Sequence, residues 1–303
     1  MISRVDHKDI RIGTLVPGAC KIDAKSYINQ IIDYGFESFS ITFSPTLGNT
    51  DLKELANDVK EAIGDRDIKI STISVYGNPL DEKSDGIGEV NDWKSLIDNA
   101  HLFGTDIVSG FTGRVVNKPI DESIPKFKEV FSELVKRAED KGVRIAFENC
   151  DMGGTWQSGD WNIAHNPAAW ELMFDAVPSD NIGLEWEPCH HMVNLIDPIP
   201  QLREWVGKIF HVHGKCCTIK WDIIKKYGIH GAKQFAFHRT PGFGDCNWAD
   251  IISELRMGGF QGSIDIEGWH DPVYRGDLEM TGQVHALDYL KYCRGGDFIK
   301  NPV

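Results

Sequence analysis

Residues 182–191 read I-G-L-E-W-E-P-C-H-H, and this stretch decides the fold. An apolar run leads to a carboxylate, Glu187, and Pro188 follows at once. Proline has no N–H to donate to a ladder, so the predicted strand ends at Glu187. His190 and His191 come next, in the turn. Polar side chains just past a buried strand are typical of parallel α/β sheets and barrels, whose functional groups lie at the carboxyl ends of the strands.

The same alternation of short apolar runs and longer amphipathic segments extends along the chain in both directions. Strands are predicted at residues 10–15, 38–43, 68–75, 106–109, 143–148, 182–187, 209–213 and 263–267. Helices are predicted at residues 25–34, 51–63, 89–103, 124–141, 167–176, 200–206, 247–257 and 278–292. Thr50 is the predicted N-cap of the second helix, and Gly64 ends it. Eight strand–helix units in 303 residues predict an α/β protein, a (β/α)8 TIM barrel that forms a single domain over residues 1–303.

The charge, hydrophobicity and cysteine content of the chain limit its possible partners and location. The formal net charge is −13, which argues against binding to nucleic acid phosphates and to anionic membrane surfaces. The N-terminus lacks an apolar signal region and no apolar run is long enough to cross a bilayer, so a cytoplasmic location is expected. Seven cysteines without C-x-x-C spacing favour reduced core thiols over a disulfide framework. For Cys216 and Cys217, the alternative is that they are thiolates near a metal.

The long connections all follow predicted strands. They cover residues 77–90, 111–120, 149–166 and 214–246. In a barrel, the segments after the strands lie at the face that carries the active site. We therefore expect these four loops to surround one functional centre.

Four consecutive predicted strands end in side chains that bind metals. The residues are Glu148, Glu187, His213 and Glu267. Neighbouring parallel strands lie about 4.8 Å apart, so four groups at one height can converge on a single ion. Three carboxylates packed together would repel one another without a cation. This oxygen-rich set suits Mn²⁺ or Mg²⁺, with Co²⁺ as a further choice, better than structural zinc. The alternative is four separate polar strand ends that face solvent.

A second polar layer is predicted beneath this set. Glu185, His211 and Asp265 each precede a predicted ligand by two residues, and residues two apart on a strand share a face. A buried triad in that place would orient the ligands. If the strands are bulged, the three side chains would face the helices instead.

The strand-end motifs Glu148, E-P-C-H at 187–190, H-G-K at 213–215 and I-E-G-W at 266–269 resemble those of the xylose isomerase-like barrel superfamily. D-tagatose 3-epimerase-type enzymes and inosose dehydratase are the functional relatives that this resemblance suggests. In that superfamily the residue at 187 is usually Asp, and Asp often follows the lysine where this chain has Cys216. By matching position, the resemblance implies that Glu148, Glu187, His213 and Glu267 hold a divalent metal and that His190 touches the substrate.

The resemblance also implies a reaction. A metal-dependent isomerase or epimerase of keto-sugars would remove a proton next to the carbonyl and stabilise the enediolate on the metal, with Glu148 and Glu267 as the acid/base pair. Mn²⁺ is the expected ion, with Mg²⁺, Co²⁺ or Zn²⁺ as alternatives. If a leaving group departs from the same intermediate, the enzyme is a lyase, either an inosose-type dehydratase or an eliminase or deglycosidase that acts on keto-glycosides.

Several loop residues are candidate substrate contacts. Each of them also has a structural alternative: His190 could cap a helix, Lys215 could pair with a neighbouring carboxylate rather than hold an oxyanion, and tryptophans could simply pack. His191 is expected to pack or to lie at the surface. The candidates are His190, Lys215, Trp156, His238 and Arg239, with Trp161, Trp186 and Trp269 as further parts of a sugar-stacking wall and His270 and Asp271 as weaker choices.

Two other classes are less compatible with the sequence. A zinc-dependent DNA-repair endonuclease would need a basic groove and more histidines at strand ends, and a sugar-binding barrel without catalysis would not need three clustered carboxylates. The expected partner is therefore a small-molecule sugar or sugar derivative, with no nucleic acid and no membrane. The barrel class also favours a homo-oligomer that pairs through the loops at the active-site face.

Overall fold

The computed structural model describes residues 5–6, 8–18, 23–81, 87–299 and 301–302. The strands, in chain order, are β1 (Val5–Asp6), β2 (Ile10–Pro17), β3 (Ser38–Phe43), β4 (Lys69–Val75), β5 (Ile107–Gly110), β6 (Arg144–Glu148), β7 (Ile182–Trp186), β8 (Ile209–Gly214), β9 (Cys216–Ile219), β10 (Ala236–Arg239), β11 (Gly262–Ile266) and β12 (Asp297–Phe298). The α-helices are α1 (Ala24–Ile31), α2 (Leu52–Ile63), α3 (Ile87–Phe103), α4 (Ile120–Lys141), α5 (Pro167–Ala176), α6 (Pro188–Val193), α7 (Pro198–Trp205), α8 (Trp221–Tyr227), α9 (Trp248–Met257) and α10 (Glu279–Cys293). Short 3-10 helices lie at Ile32–Tyr34, Val206–Lys208 and Gly276–Leu278.

Eight parallel strands form a closed barrel in the order β11-β2-β3-β4-β5-β6-β7-β8. All eight were predicted from the sequence, so the (β/α)8 TIM barrel is confirmed. Closure of the barrel buries both faces of each strand, because helices cover the outer face and side chains from the other strands cover the inner face. This explains why the strands are rich in Ile, Val and Phe. The core between barrel and helices includes an aromatic cluster in which Phe131 meets Phe147 of β6 edge-on, with ring centroids 4.9 Å apart. Among the described residues, every helix is too short or too polar to span a lipid bilayer.

The main differences from the predicted elements lie at the helix starts and in the last long loop. Asp51, not Thr50, is the N-cap of α2, because its carboxylate accepts hydrogen bonds from the amides of Lys53 and Glu54. The first turn after β7 forms the short helix α6, which begins at Pro188. The segment after β8, predicted as loop, contains an antiparallel hairpin of β9 and β10, with α8 between them.

The cysteine prediction needs one correction. Cys216, at the start of β9, forms a disulfide with Cys246. The hairpin turns the chain back on itself, and the Asp245 amide donates to the Cys217 carbonyl at 2.8 Å, which brings residue 246 beside residue 216. Cys216 is therefore not a free thiolate. Cys217 is a buried free thiol, and Cys20 lies outside the described residues, as do residues 82–86 of the loop predicted at 77–90.

Candidate active site

The four predicted metal ligands meet at the carboxyl end of the barrel. Each of Glu148, Glu187, His213 and Glu267 offers an atom within 4.8 Å of the other three. His213 lies in the middle of the set, because its Nδ1 is 3.1 Å from Glu148 Oε1 and 3.4 Å from Glu267 Oε2. The same nitrogen is 3.6 Å from Glu187 Oε2. All four side chains are buried, so the group lies below the barrel mouth and not on the surface.

The strand register refines how the four side chains reach one place. Glu148 pairs in the sheet with Glu185, not with Glu187, and His213 pairs with Asp265, not with Glu267. The ligands therefore do not share one row, contrary to the expectation of equal height. Tilted strands in a barrel are staggered, and a glutamate side chain is long enough to bridge a step of two residues. Glu187 lies just past β7, where its backbone is still extended with φ −137° and ψ 120°.

Burial acts strongly on the ionisation of these carboxyl groups. It raises the pKa of Glu148, and it raises the pKa of Glu187 to about 8. Burial opposes the charge of Glu267 as well, but Lys215 and His213 outweigh it and hold the pKa of Glu267 well below its ordinary value. The pKa of His213 is raised well above its ordinary value because Glu185 and Glu148 outweigh the effect of burial. Full ionisation of Glu148, Glu187 and Glu267 beside Glu185 would therefore place more negative charge in this buried space than His213 and Lys215 balance.

Unsatisfied oxygens give a direct test of whether a cation fits here. Both carboxylate oxygens of Glu187 and Oε2 of Glu267 are buried and accept no hydrogen bond from the described residues. Nitrogen atoms of Lys215, His190 and His213 lie 3.2–3.6 Å away but none donates with hydrogen-bond geometry, and a buried acceptor without a hydrogen bond costs about 1–3 kcal/mol. Three carboxylates and an imidazole form the hard donor set that Mn²⁺ or Mg²⁺ prefers. The residues present therefore fit a divalent cation.

The predicted layer beneath the ligands is a hydrogen-bonded chain. His211 lies between two carboxylates, with Nδ1 2.7 Å from Glu185 Oε1 and Nε2 2.7 Å from Asp265 Oδ2. Glu185 Oε1 is also 3.3 Å from His213 Nε2. If His213 donates its Nε2 proton to Glu185, the lone pair of Nδ1 faces the three carboxylates. A carboxylate behind the imidazole is the usual way in which proteins orient a histidine toward a metal.

Gly13 makes the deepest part of this chain possible. It pairs with Asp265 in the sheet, and a Cβ at this position would lie 2.1 Å from both Asp265 Oδ1 and the Ser38 carbonyl oxygen. The absence of a side chain lets Ser38 Oγ donate to Asp265 Oδ1 at 2.5 Å. Ser71 donates to the other oxygen of the same carboxylate. Both oxygens of this buried anion are therefore satisfied.

Sequence reasoning missed Tyr76, which lies directly after β4. Its hydroxyl donates to Glu185 Oε2 at 2.9 Å and lies 3.4 Å from His213 Nε2. Burial, reinforced by Glu185, raises the pKa of Tyr76 well above its ordinary value, so the group remains a phenol that donates. Its position at the end of a strand was the available signal, but an aromatic residue there is also compatible with simple packing.

The ligand set opens into a cavity of about 400 Å³. Its wall combines aromatic rings with imidazoles, a mixture suited to a polyhydroxylated ligand, because rings pack on apolar faces and imidazoles hydrogen-bond to hydroxyls. Glu148, His213 and Glu267 line it, whereas Glu187 lies behind them, and the other lining residues include Tyr76, Phe111, His190, His238, Trp269 and His270. Of the four tryptophans predicted to form a wall, only Trp269 lines this cavity. Trp186 is fully buried and packs edge-on against His191.

His190 and Lys215 both contact the ligand set. Lys215 Nζ is 2.9 Å from Glu267 Oε1 and 3.5 Å from Glu187 Oε1, so it makes the carboxylate pair that was the alternative to an oxyanion contact. His190 Nε2 is 3.2 Å from Glu187 Oε1. Burial and the positive charge of Lys215 lower the pKa of His190 well below its ordinary value, so its imidazole is neutral. His190 lies on α6 with its ring edge-on to His238, 5.4 Å between centroids.

His238 and His270 form the outer rim. Burial lowers the pKa of His238 to about 4, so this ring is neutral as well. His270 Nδ1 is 3.1 Å from Glu267 Oε1, which brings a residue rated as a weak candidate into direct contact with a predicted ligand. Asp271, its neighbour, accepts backbone hydrogen bonds from Thr240 and Val273 and so holds the loop.

Two predicted substrate contacts lie elsewhere. Arg239 directs its Nε to Asp271 Oδ2 at 3.0 Å, so its charge ties the hairpin to the loop after β11. Trp156 lines a separate groove with Thr155 and His165, because the loop after β6 folds away from the barrel mouth beyond Gly153. Neither residue lines the cavity at the ligand set. The sequence placed both in active-site loops, but could not say which side of each loop faces the cavity.

Comparison with known proteins agrees with this architecture. A family model described as a xylose isomerase-like TIM barrel matches residues 28–293. An inosose dehydratase of Clostridium tetani (strain Massachusetts / E88) is 23% identical over 189 residues, which cover 58% of this chain and 58% of that protein. The match thus spans somewhat more than half of the relative's length.

Two solved structures share the fold. The apo form of a 3-keto-D-glucoside 4-epimerase from E. coli superposes with a TM-score of 0.69, covering 94% of this chain and 100% of the other at 14% identity. A crystal structure of the IOLI protein, which has a zinc atom bound, gives a TM-score of 0.62 over 94% of this chain and 96% of the other at 17% identity. At these identities the likeness concerns the fold alone.

Proposed function

The chain belongs to the xylose isomerase-like TIM barrel family, and from this premise we propose that it is a divalent-metal-dependent isomerase or epimerase of a keto-sugar. The reaction would begin with removal of a proton from the carbon next to the carbonyl. One observation carries the proposal: three buried carboxylates and one imidazole lie within 4.8 Å of one another at the carboxyl end of the barrel.

A cation at this centre would act as a Lewis acid toward the carbonyl and hydroxyl oxygens of the substrate. Glu148, Glu187, Glu267 and the Nδ1 atom of His213 would hold it. Mn²⁺ is the ion that we favour, with Mg²⁺, Co²⁺ and Zn²⁺ as alternatives, because oxygen ligands dominate the set. The three atoms of the set without hydrogen-bond partners, on Glu187 and Glu267, support this assignment.

Glu148 and Glu267 are the proposed acid/base pair. Burial raises the pKa of Glu148, whereas Lys215 and His213 hold the pKa of Glu267 well below its ordinary value. With one carboxyl group on each face of the reacting carbon, the pair could remove the proton and return it. Neutral His190 would donate a hydrogen bond to a substrate oxygen.

A lyase on the same centre is the second candidate. The match to an inosose dehydratase over 189 residues favours it. Both reactions begin with loss of the same proton, and they differ in whether it returns or a leaving group departs. The two candidates can therefore be separated only after proton abstraction.

The test is proton exchange in D₂O. The Mn²⁺-loaded protein is incubated with D-fructose, D-tagatose, a 3-keto-D-glucoside or an inosose, and deuterium at the carbon next to the carbonyl is measured by NMR. We expect deuterium in at least one probe, and none after chelation with EDTA until Mn²⁺ is restored. An unsaturated product with new ultraviolet absorbance would identify the lyase. Absence of deuterium from all four probes would contradict both candidates.

The remaining expectations about partners and location stay predictions. A small-molecule sugar as the substrate, a homo-oligomer and a cytoplasmic location follow from the sequence arguments above. The acidic balance of the chain continues to argue against a nucleic acid partner.

A further inference from the structure

A second groove lies behind the loop that follows β6. It is separate from the catalytic cavity and measures about 550 Å³. Its walls come from three places: the loop segment 154–156, the first turn of α5, and the chain that joins α6 to α7. The residues that carry the argument below are Trp156, His165, Asn166, Ala168, Asn194 and Gln201.

The groove has no ionised side chain in its lining. It is formed by glycine, threonine, tryptophan, histidine, asparagine, proline, alanine, isoleucine and glutamine residues. A quarter of the whole chain is charged, so a lining of ten residues without Asp, Glu, Lys or Arg is distinctive. Burial lowers the pKa of His165, so its imidazole is neutral too. A charged ligand would find no counter-charge here, whereas a neutral polar ligand would find only neutral hydrogen-bonding groups.

His165 is a buried part of the groove wall. Asn166 Oδ1 accepts from the Ala169 amide at 3.0 Å, so its Nδ2 is the atom that donates to His165 Nδ1, at 3.3 Å. The proton of the neutral ring is therefore on Nε2. His165 is 5% exposed and its Nε2 is inaccessible to solvent, so the ring shapes the groove but does not present this N–H to a ligand.

Further neutral donors and acceptors lie around the same groove. The amide of Ala168 lies in the first turn of α5, where helix geometry provides no intrahelical acceptor, and the Asn166 side chain accepts from the Ala169 amide. Asn194 uses its Nδ2 for bonds to Asp151 and to the His190 carbonyl, which leaves its amide oxygen as an acceptor. Gln201, on α7, also lines the groove.

Trp156 supplies a fixed aromatic surface. Its carbonyl oxygen accepts from Arg114 Nη2 at 2.9 Å and from the Ile120 amide at 2.9 Å, which anchors the backbone of this residue. The indole is half-buried, with one part packed on the core and the rest available to the groove. An anchored aromatic ring loses little conformational freedom when a ligand binds against it.

We propose that this groove binds a neutral sugar ring, with the ring packed on Trp156 and its hydroxyls bonded to the Ala168 amide and the side-chain amides of Asn194 and Gln201. Aromatic packing together with neutral donors and acceptors is the combination that suits an uncharged polyhydroxylated molecule. The groove is next to the catalytic cavity: Asn194, which lines the groove, donates at 2.6 Å to Asp151, which lines the cavity. It contains none of the proposed metal ligands.

The experiment follows the indole N–H signals of the nine tryptophans in the ¹⁵N-labelled full chain. The signal of Trp156 is identified by its loss in Trp156→Ala, and that of Trp269 by its loss in Trp269→Ala. Methyl β-D-glucopyranoside and cellobiose are the neutral probes, and glucose 6-phosphate is the charged comparison. We expect both neutral probes to shift the Trp156 signal in a saturable way, and the phosphate ester to shift it less.

Two variants measure how much the side chains of Trp156 and Gln201 contribute to binding of the neutral probes. Trp156→Ala should weaken binding of the neutral probes about fivefold or more by calorimetry. Gln201→Ala, at a half-buried position of α7, should weaken binding by a smaller factor. Trp161→Ala is the matched control, since Trp161 belongs to the same loop, is 37% exposed and does not line the groove. It should bind as the unaltered chain does.

The outcomes separate this site from the catalytic proposal. If only the Trp269 signal moves, binding is confined to the catalytic cavity and the groove proposal fails. It fails equally if neither signal moves, or if Trp156→Ala binds as tightly as Trp161→Ala. A chain that shifts the Trp156 signal but exchanges no deuterium with keto-sugars would keep the groove and reject the proposed reaction.

Discussion

On either side of β2, the wall of the barrel consists of an ionisable half and an uncharged hydroxyl half, whose interior side chains differ. Strands β6, β7, β8 and β11 carry the carboxylates and imidazoles, whereas β3, β4 and β5 carry hydroxyl groups. The hydroxyl residues are Ser38, Ser40, Ser71, Thr72, Ser74 and Ser109. Ser74 Oγ lies 2.6 Å from Ser109 Oγ, and Ser109 in turn donates to Glu185 Oε1 at 2.7 Å.

This difference shows how one barrel can concentrate charge on one side of its axis. Hydroxyl groups rotate to donate or accept as needed, so the uncharged half can stabilise buried anions without neutralising them. Tyr76, Ser109 and Ser38 all direct donors across to the ionisable half. The carboxylates near the mouth thereby remain available for a cation. The predictions below test this division, from the largest expected effect to the smallest.

The largest effect should come from the ionisable half, at Glu267. Glu267→Gln removes one member of the proposed acid/base pair and one proposed ligand, so we expect turnover of the deuterium-exchanging substrate to fall by at least about 10³-fold. The circular dichroism spectrum should not change, because the amide has nearly the same shape. Glu171→Gln, on the exposed face of α5, is the control and should retain full activity. Comparable activity in both variants would refute the assignment of Glu267.

A smaller loss is expected one layer deeper. Glu185→Gln removes the anion that contacts both His211 and His213, at 2.7 Å and 3.3 Å. Loss of such an orienting carboxylate should weaken Mn²⁺ binding about 10–100-fold, measured by competition with a chelator and by electron paramagnetic resonance of free Mn²⁺. Unchanged affinity would mean that Glu185 does not orient the ligand His213.

The next prediction concerns His191, a buried histidine outside the ligand set, and the effect of acid on the stability of the fold. His191 packs against Trp170 and Trp186, with no carboxylate partner, and burial lowers its pKa to about 3. Between pH 6.5 and pH 3 the unfolded chain therefore binds a proton that the folded chain does not. The stability contributed by neutral His191 is complete above pH 6.5 and is lost as the pH falls toward 3.

Replacement of His191 measures this contribution. In His191→Phe the free energy of unfolding should fall less steeply with decreasing pH than in the unaltered chain. The two slopes should differ by up to about 1.4 kcal/mol per pH unit, which is tenfold in the folding equilibrium. Urea denaturation at pH 7, 6 and 5 gives the slopes. His101→Phe, on the exposed face of α3, is the comparison and should keep the original slope. Equal slopes in the two variants would show that His191 does not cause the acid sensitivity.

The smallest effect should come from the hydroxyl half. Ser109→Ala removes one donor to Glu185, which keeps the hydroxyl of Tyr76 and the ring of His211 as partners. We expect Mn²⁺ affinity to fall only about three- to tenfold, since a hydrogen bond to a charged group contributes about 1.5 kcal/mol or somewhat less in a redundant network. A loss as large as that of Glu185→Gln would show that the two halves do not differ as described.

Most of the barrel could be predicted from local patterns, and its exceptions are informative. The strand β3 and the helix α5 have the predicted bounds, because Gly, Pro and Asn mark their ends in the sequence. The hairpin of β9 and β10 was missed, since its strands are only four residues long and carry no clear alternation. Trp156 was placed in the correct loop but on the wrong side of it, because a loop has no periodicity that would define a face.

The sequence alone determined the closed barrel, the face that carries the site and the four side chains that meet there. Each of these follows from short-range features: a strand's alternation, the residue at its end and the helix that comes next. Only the tertiary structure decided what surrounds them: Tyr76 behind His213, the serine donors, His270 at the rim and the disulfide at the hairpin. Such contacts join distant parts of the chain, as Ser38 and Asp265 do across 227 residues. No local pattern encodes them, because they depend on how the barrel closes and how its strands are staggered.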